Sequence, residues 1–360
     1  MEKFKLNETP VRTSRNFNIN NIKLDNINVP EDINVPEDIK SFDNVSIINN
    51  SSKITIESNQ NRFDLVYGLG DFFTNQVLEK SNKKIKITID SKANESINID
   101  FKFDELNSEL VEDIEIIANE NSKATLTLTY KSNNNIEAYH NAVIRLIAKK
   151  NSNINVIIVN LMNESSNNFM SIQNEFEESA NAKYTIVDFG GKNSITNYYS
   201  NLLGKSSNNR LDTIYLGKDN QVFDLNYIGE LRGPKSNIDI EVQGALKDVA
   251  KKHFKGTIDF KKGSKKATGN ENEACMLLSD KARSLALPML LCSEEEVEGN
   301  HSSSAGKIGE KELFYIMSRG FELKEAMKLM VRAKFNKILE NIKDEELKAE
   351  ILDEIDNRLD

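Results

Sequence analysis

The sequence predicts a mainly β protein, with a parallel β-helix favoured over a pair of packed sheets. Three observations predict it. From Lys84 to about Leu291 short β-type runs repeat with period two, among them Ile85, Ile87, Ile89, then Ile97, Ile99, Phe101, Phe103, later Leu126 and Leu128, and Ile238, Ile240, Val242. Alternation of this kind puts one face of each run in a core. Between the runs lie polar clusters such as Asn133-Asn134-Asn135 and Ser206-Ser207-Asn208-Asn209, and Asn tolerates the left-handed backbone of tight corners. Helical periodicity is almost absent over some two hundred residues, as expected when short coils stack on one another.

Residues 1–83 are read as an arm with one short helix. The arm holds the tandem duplication Ile27-Asn28-Val29-Pro30-Glu31-Asp32 and Ile33-Asn34-Val35-Pro36-Glu37-Asp38, whose prolines keep the preceding residues extended. Leu65, Leu69, Phe72, Phe73, Val77 and Leu78 recur near helical spacing between Arg62 and Lys80, and this helix is expected to cover an end of the β region. Residues 84–300 form the β core and 301–360 a helical region. Its three apolar stripes are Leu313, Phe314, Ile316, Met317; then Ala326, Leu329, Met330, Ala333, Ile338, Leu339; then Leu347, Ile351, Ile355, Leu359.

Composition narrows the function. With 38% hydrophobic and 29% charged residues the chain is globular, and no run approaches the ~20 apolar residues that span a bilayer. The start, Met1-Glu2-Lys3-Phe4-Lys5, lacks the apolar stretch of a secretory signal, so a cytoplasmic setting is expected. A net charge of -9 argues against general nucleic-acid binding. Two cysteines, Cys275 and Cys292, and three histidines are too few for a self-contained metal centre, so any metal site must borrow ligands.

The individual motifs read quietly. Cys275 and Cys292 sit in apolar runs and behave as small hydrophobes, while His253 lies among lysines as a solvated position. The Lys261-Lys262-Gly263-Ser264-Lys265-Lys266 and Glu294-Glu295-Glu296 runs read as solvated turns. Gly68-Leu69-Gly70 is too short for a dinucleotide fingerprint, and no P-loop precedes Lys205, so ATP binding is not expected. No catalytic constellation is present, and the chain is expected not to be an enzyme.

One region carries a resemblance. It reads Gly244-Ala245-Leu246-Lys247-Asp248, Phe254-Lys255-Gly256-Thr257-Ile258, Cys275-Met276-Leu277-Leu278-Ser279-Asp280, Pro288-Met289-Leu290, Asn300-His301, Ala305-Gly306-Lys307-Ile308, Leu313-Phe314-Tyr315 and Ser318-Arg319-Gly320. In order and spacing these pieces resemble the C-terminal half of the SufB/SufD family of iron-sulfur cluster assembly proteins, and Thr9-Pro10-Val11-Arg12-Thr13 resembles its N-terminal segment. The resemblance implies a right-handed parallel β-helix, pairing with a SufB-type paralogue, and a SufC-type ATPase docked on the C-terminal helices at Leu313, Phe314, Arg319 and Phe335. It also implies an iron-sulfur cluster or iron held transiently at the interface between paralogues.

The site residues favour the SufD branch. Where SufB-like chains carry a cysteine seven residues before the aspartate of Leu-Leu-Ser-Asp, this chain has Glu273; Cys275 lies two residues on, on the same strand face. The later motif, Asn300-His301-Ser302-Ser303-Ser304, lacks the flanking glutamates of SufB and is closer to SufD, although the three serines depart from the SufD pattern. His301 is therefore the leading cluster or iron candidate, with Cys275 and Glu273 weaker ones. A homodimeric, SufB-like scaffold using a cysteine thiolate stays open, as do self-pairing in isolation and flavin binding by the complex. A β-helix enzyme acting on polysaccharide is the remote alternative, since it needs paired carboxylates in a cleft.

Overall fold

A computed structural model describes residues 5–11, 22–23, 39–59, 61, 63–133 and 136–360. The duplicated segment 27–38 lies outside the described residues. Short strands β1 (Lys5–Leu6) and β2 (Ile22–Lys23) pair antiparallel. Next come β3 (Val45–Asn49), β4 (Ile54–Glu57), α1 (Asp71–Lys80), β5 (Lys83–Ile89), β6 (Asn94–Phe103), β7 (Glu109–Ala118), β8 (Lys123–Ser132), β9 (Tyr139–Ala148) and β10 (Asn153–Leu161). The series continues through β11 (Asn167–Phe176), β12 (Asn181–Asp188), β13 (Asn193–Leu202), β14 (Asn208–Gly217), β15 (Val222–Leu231), β16 (Asn237–Leu246), β17 (Lys251–Phe260), β18 (Thr268–Leu277), β19 (Arg283–Cys292) and β20 (Glu298–Lys307). The helices α2 (Glu310–Met317), α3 (Leu323–Leu339) and α4 (Glu345–Leu359) end the chain.

From β5 onward the strands form a parallel β-solenoid. Even-numbered strands stack from β6 to β20 in one sheet and odd-numbered strands from β5 to β19 in the other, each strand pairing with the one two places on. The apolar side chains of both sheets meet between them and make one continuous core. Every coil except the last, β19 to β20, turns from odd to even strand through a left-handed residue: Lys92, Asn121, Asn151, Ser179, Ser206, Lys235 and Lys266. Asparagine fills only two of these corners. The more regular signal is the small buried residue that follows each one, in order Ala93, Ser122, Ser152, Ala180, Ser207, Ser236 and Ala267. Its N–H closes the turn on a carbonyl three residues back, as in Ser122 to Asn119 at 3.1 Å, and a small side chain lets consecutive coils stack closely.

The two ends differ. At the first coil, β3 adds antiparallel to β6 and β4 antiparallel to β5, so each sheet ends there in a short reversed strand. Helix α1 is not a cap on that end. It packs its Phe73 and Val77 against Val111, Tyr139, Val143 and Phe169 on the flank of the odd sheet, and begins only at Asp71 because Gly70 takes a positive φ. At the last coil, no strand among the described residues pairs with the outer edge of β19 or β20, and nearly all of β20 is exposed. Strand β20 runs to Lys307, so the helical region starts at Glu310, later than the boundary of 301 expected from periodicity.

The C-terminal helices lie along the even sheet. Strand β10 is apolar at consecutive positions: Val156 and Ile158 face the core, while Ile157 and Val159 face outward. A strand apolar on both faces needs a second layer. Val331, Phe335, Ile338 and Leu339 of α3 and Leu347, Ile351, Ile355 and Leu359 of α4 supply it over Val187, Phe189, Ile214 and Leu216. Asp344 caps α4 by accepting from the N–H groups of Glu346 and Leu347. The buried face of α3 thus differs from the expected stripe, since Leu329 and Ala333 are exposed. On the opposite side, the first described segment is fastened to the odd sheet. Asn7 donates to the Thr196 carbonyl at 3.1 Å, and Lys255 donates to the Asn7 carbonyl at 2.8 Å.

Candidate functional site

The open coil changes the chemistry of the lumen. One interior column of the even sheet reads Ile97, Leu126, Val156, Tyr184, Leu211, Ile240, then Glu271 and His301. Its neighbour reads Ile99, Leu128, Ile158, Ile186, Thr213, Val242, then Glu273 and Ser303. Both columns turn from largely apolar to acidic in β18. Two residues further along, Gly244, Cys275 and Ala305 stand in register. Glu271, Glu273 and Cys275 therefore share the inward face, as the period of two requires.

Glu273 is fully buried and fully engaged. Lys252 crosses from β17 with Nζ 2.7 Å from Oε1, the Tyr215 hydroxyl donates to the same oxygen at 3.3 Å, and Ser303 Oγ donates to Oε2 at 2.8 Å. Lys252 is itself buried, with its ammonium 5.9 Å from the Tyr215 ring centroid and 5.7 Å from that of Phe254. Gly244 makes this possible, because a Cβ there would stand 1.8 Å from the Tyr215 ring. Cys275 is 4% exposed, and burial pushes its thiol up against the pull of the nearby Lys252 ammonium. It is a buried thiol beside an ion pair. Cys292, at the end of β19, is exposed and its Sγ donates to the Glu294 carbonyl at 2.9 Å.

Glu271 differs from Glu273. It is 2% exposed, yet neither carboxylate oxygen has a hydrogen-bond partner. Burial, helped by the adjacent Glu273 charge, pushes its carboxyl up to about 8. His301 lies opposite it in register on β20 and is exposed. The strand around His301 is held by outward-facing ladders: Asn300 Nδ2 donates to Asn270 Oδ1 at 3.0 Å and Ser302 Oγ to Asn272 Oδ1 at 2.7 Å. Those bonds steady a strand that lacks a neighbour on its far side.

The structure groups some of the expected site residues and separates others. His301 and Cys275 are four residues apart in register on neighbouring strands, so their Cα atoms lie on the order of 14 Å apart. Among the described residues no group of three or more His, Cys, Asp or Glu side chains is placed to hold a metal ion. Phe335 is 0% exposed and stacks near Phe189 at 6.1 Å, so it is core between α3 and the even sheet rather than part of an open docking face. Leu313 is half-buried, Phe314 is 74% exposed, and Arg319 lies over the Tyr315 ring at 5.1 Å. With Met317, Phe321, Leu323 and Leu329 they make an exposed apolar patch on α2 and the start of α3. Lys252, Tyr215, Glu271 and Ser303 escaped sequence reasoning. Glu271 was recoverable from the alternation Asn270-Glu271-Asn272-Glu273, but the others depend on which coils stack. Elsewhere in the lumen, His140 is buried between Asn168 Oδ1 at 2.7 Å and Glu112 Oε1 at 3.1 Å.

Residues 101–334 match the family described as SUF system FeS cluster assembly, SufBD core domain. The chain belongs to the SufBD family. Among curated relatives, this family member is 23% identical to the iron-sulfur cluster assembly protein SufD of Bacillus subtilis over 68% of its own length and 56% of the relative's. It is 32% identical to an iron-sulfur cluster assembly SufBD family protein of Pyrococcus horikoshii over 44% of its length and 35% of the relative's. A Staphylococcus epidermidis family member is 23% identical over 53% and 41%, respectively. The chain thus matches roughly half or less of each relative's length. Among the described residues no helix is long and apolar enough to cross a membrane.

Proposed function

We propose that this chain is a SufD-like, non-enzymatic subunit of a cytoplasmic iron-sulfur cluster assembly scaffold. It pairs through its open last coil with a SufB-type paralogue and binds a SufC-type ATPase through the exposed patch on α2 and the start of α3. The observation that carries the reading is the uncapped end. The two free strand edges of β19 and β20 can extend into a second solenoid, while His301 stands at the mouth of a lumen that has just turned polar. In that arrangement His301 offers an imidazole to iron or a nascent cluster, the cargo, and the partner supplies the missing ligands. Strain from the ATPase would reach the open coil through α3, whose buried face is anchored on the even sheet.

The test is anaerobic co-purification of the chain with SufB-type and SufC-type proteins, comparing wild type, His301→Ala and Phe314→Asp. His301→Ala is expected to keep the complex and lose cluster absorbance after reconstitution, and Phe314→Asp to lose the ATPase alone. Failure of the wild type to join either protein would refute the reading. A charged substitution is preferable to removing the C-terminal helices, because removal would uncover Ile157, Val159, Ile214 and Leu216. A homodimeric scaffold would depend on a thiolate, with Cys292 the accessible one; reconstitution that survives replacement of both cysteines excludes it.

A further inference from the structure

We propose that the outer face of the odd sheet across β13, β15 and β17 is a docking site for an extended peptide segment, and that residues 6–8 occupy it as a displaceable strap. Asn7 is the centre of the contact. Its Nδ2 donates to the Thr196 carbonyl at 3.1 Å and to Asp224 Oδ1 at 2.5 Å, and its Oδ1 accepts from Asn197 Nδ2 at 2.9 Å. Its carbonyl accepts from Lys255 Nζ at 2.8 Å, its N–H donates to the Leu69 carbonyl at 3.2 Å, and Asn226 Nδ2 donates to the Glu8 carbonyl at 2.9 Å. Asn197, Asn226 and Lys255 stand in register on three successive strands, with Asp224 two residues before Asn226 on the same face. Asn7 itself has a φ of 55°, a left-handed backbone that asparagine adopts more readily than most residues. The face therefore reads a carboxamide and the backbone on either side of it.

Polar bonds do most of the holding. Leu6 alone among residues 6–8 joins an apolar cluster, beside Leu69 and Phe73, and β1 and β2 share a ladder of only two residue pairs. Such hydrogen bonds replace bonds to water, so each adds little net stability and the segment can open without the coils. The fit is also incomplete. Asp224 Oδ2, Asn197 Oδ1 and Asn226 Oδ1 are buried beside Asn7 with no hydrogen-bond partner, a cost that release to water removes. What the strap leaves behind is a recognition face: the Asp224–Lys255 ion pair, 2.6 Å apart and at most 1% exposed, flanked by two carboxamides. It lies on the odd sheet, whereas α3 and α4 lie on the even one, so it is independent of the role proposed above.

The test uses the full chain in two variants. Asn7→Gly keeps the left-handed backbone and removes the carboxamide, while Asn7→Asp sets a second carboxylate against Asp224. Hydrogen exchange read by mass spectrometry should show residues 6–9 losing protection by about tenfold or more in both, with β9, β11 and α3 as protected as in wild type. A fluorescent peptide with the sequence of residues 3–12 should then bind the Asn7→Asp chain in trans, and the same peptide carrying Asn7→Gly should bind at least tenfold more weakly. Wild-type chain, its site already filled, should bind the peptide at least tenfold more weakly than the Asn7→Asp chain. Wild-type protection of residues 6–9 in both variants, no peptide binding to the Asn7→Asp chain, or equal binding of the two peptides would each overturn the proposal. Protection lost throughout β13, β15 and β17 would also overturn it, by making the segment an integral part of the fold.

Discussion

Replacing Phe335 by alanine tests whether the C-terminal helices are part of the fold or a detachable docking module. The ring is fully buried, stacked near Phe189 with an interplanar angle of 28°, and surrounded by the apolar layer that α3 and α4 lay on the even sheet. Truncating a buried phenylalanine removes its transfer energy and leaves a cavity, for about 3–5 kcal/mol. In a solenoid each coil contacts only its neighbours, so the loss should stay local. Amide hydrogen exchange read by mass spectrometry reports this directly. Protection in α3 and α4 should fall about a hundredfold or more, at 1.4 kcal/mol per tenfold, while β7, β9 and β11 keep theirs. Phe314→Asp, on the exposed patch, should leave α3 and α4 as protected as in wild type. If Phe335→Ala kept full protection there and instead lost the SufC-type ATPase, Phe335 would be a contact residue and the packing argument would fail.

Two further predictions concern buried charge. Lys252→Met leaves Glu273 buried without its cation and should cost about 3–5 kcal/mol in urea unfolding; the double change Lys252→Met with Glu273→Leu should recover much of the loss, and a double variant no more stable than the single one would refute the pairing argument. Asp188 is buried in the lumen, where Ser194 Oγ donates to it at 2.7 Å and Asn160 Nδ2 at 2.9 Å, and burial pushes its carboxyl up to about 6. Between its ordinary value of 3.8 and about 6 the folded state keeps a proton that the unfolded chain has lost, so this group's contribution to stability falls as pH rises through that window, by up to about 3 kcal/mol. Asp188→Asn should lack that part of the slope between pH 4 and 6.5, and parallel profiles for parent and variant would show that Asp188 ionises normally.

Much of the architecture was legible because it rests on local rules. Alternation in the runs from Ile85 to Val242 specified strands with an inward face, and the i+4 series Leu347, Ile351, Ile355, Leu359 specified α4, whose four residues are all buried. The motif around His301 led to the family, and the parity of Glu273 and Cys275 placed both inside. Some readings missed for an equally physical reason. Phe335 and Leu329 look alike in a helical pattern, and only the outward apolar face of β10 and β12 decides which of them is buried. The small residues after each corner went unnoticed because coil length varies, which blurs a fixed period.

What the sequence determined by itself is therefore the strand-and-corner grammar, the terminal helices and the family. What only the tertiary structure decided is adjacency across coils. Lys252 meets Glu273 across the lumen from the preceding strand, while Glu271 and Glu273 face His301 and Ser303 through register between strands thirty residues apart. The character of the ends is likewise a property of the stack: β3 and β4 end the first coil with reversed strands, and nothing in the local pattern of β19 and β20 announces that no described strand pairs beyond them. Local periodicity says which way a side chain faces. Which partner it then finds depends on how the coils are stacked, and at the open end that stacking leaves Glu271 without one.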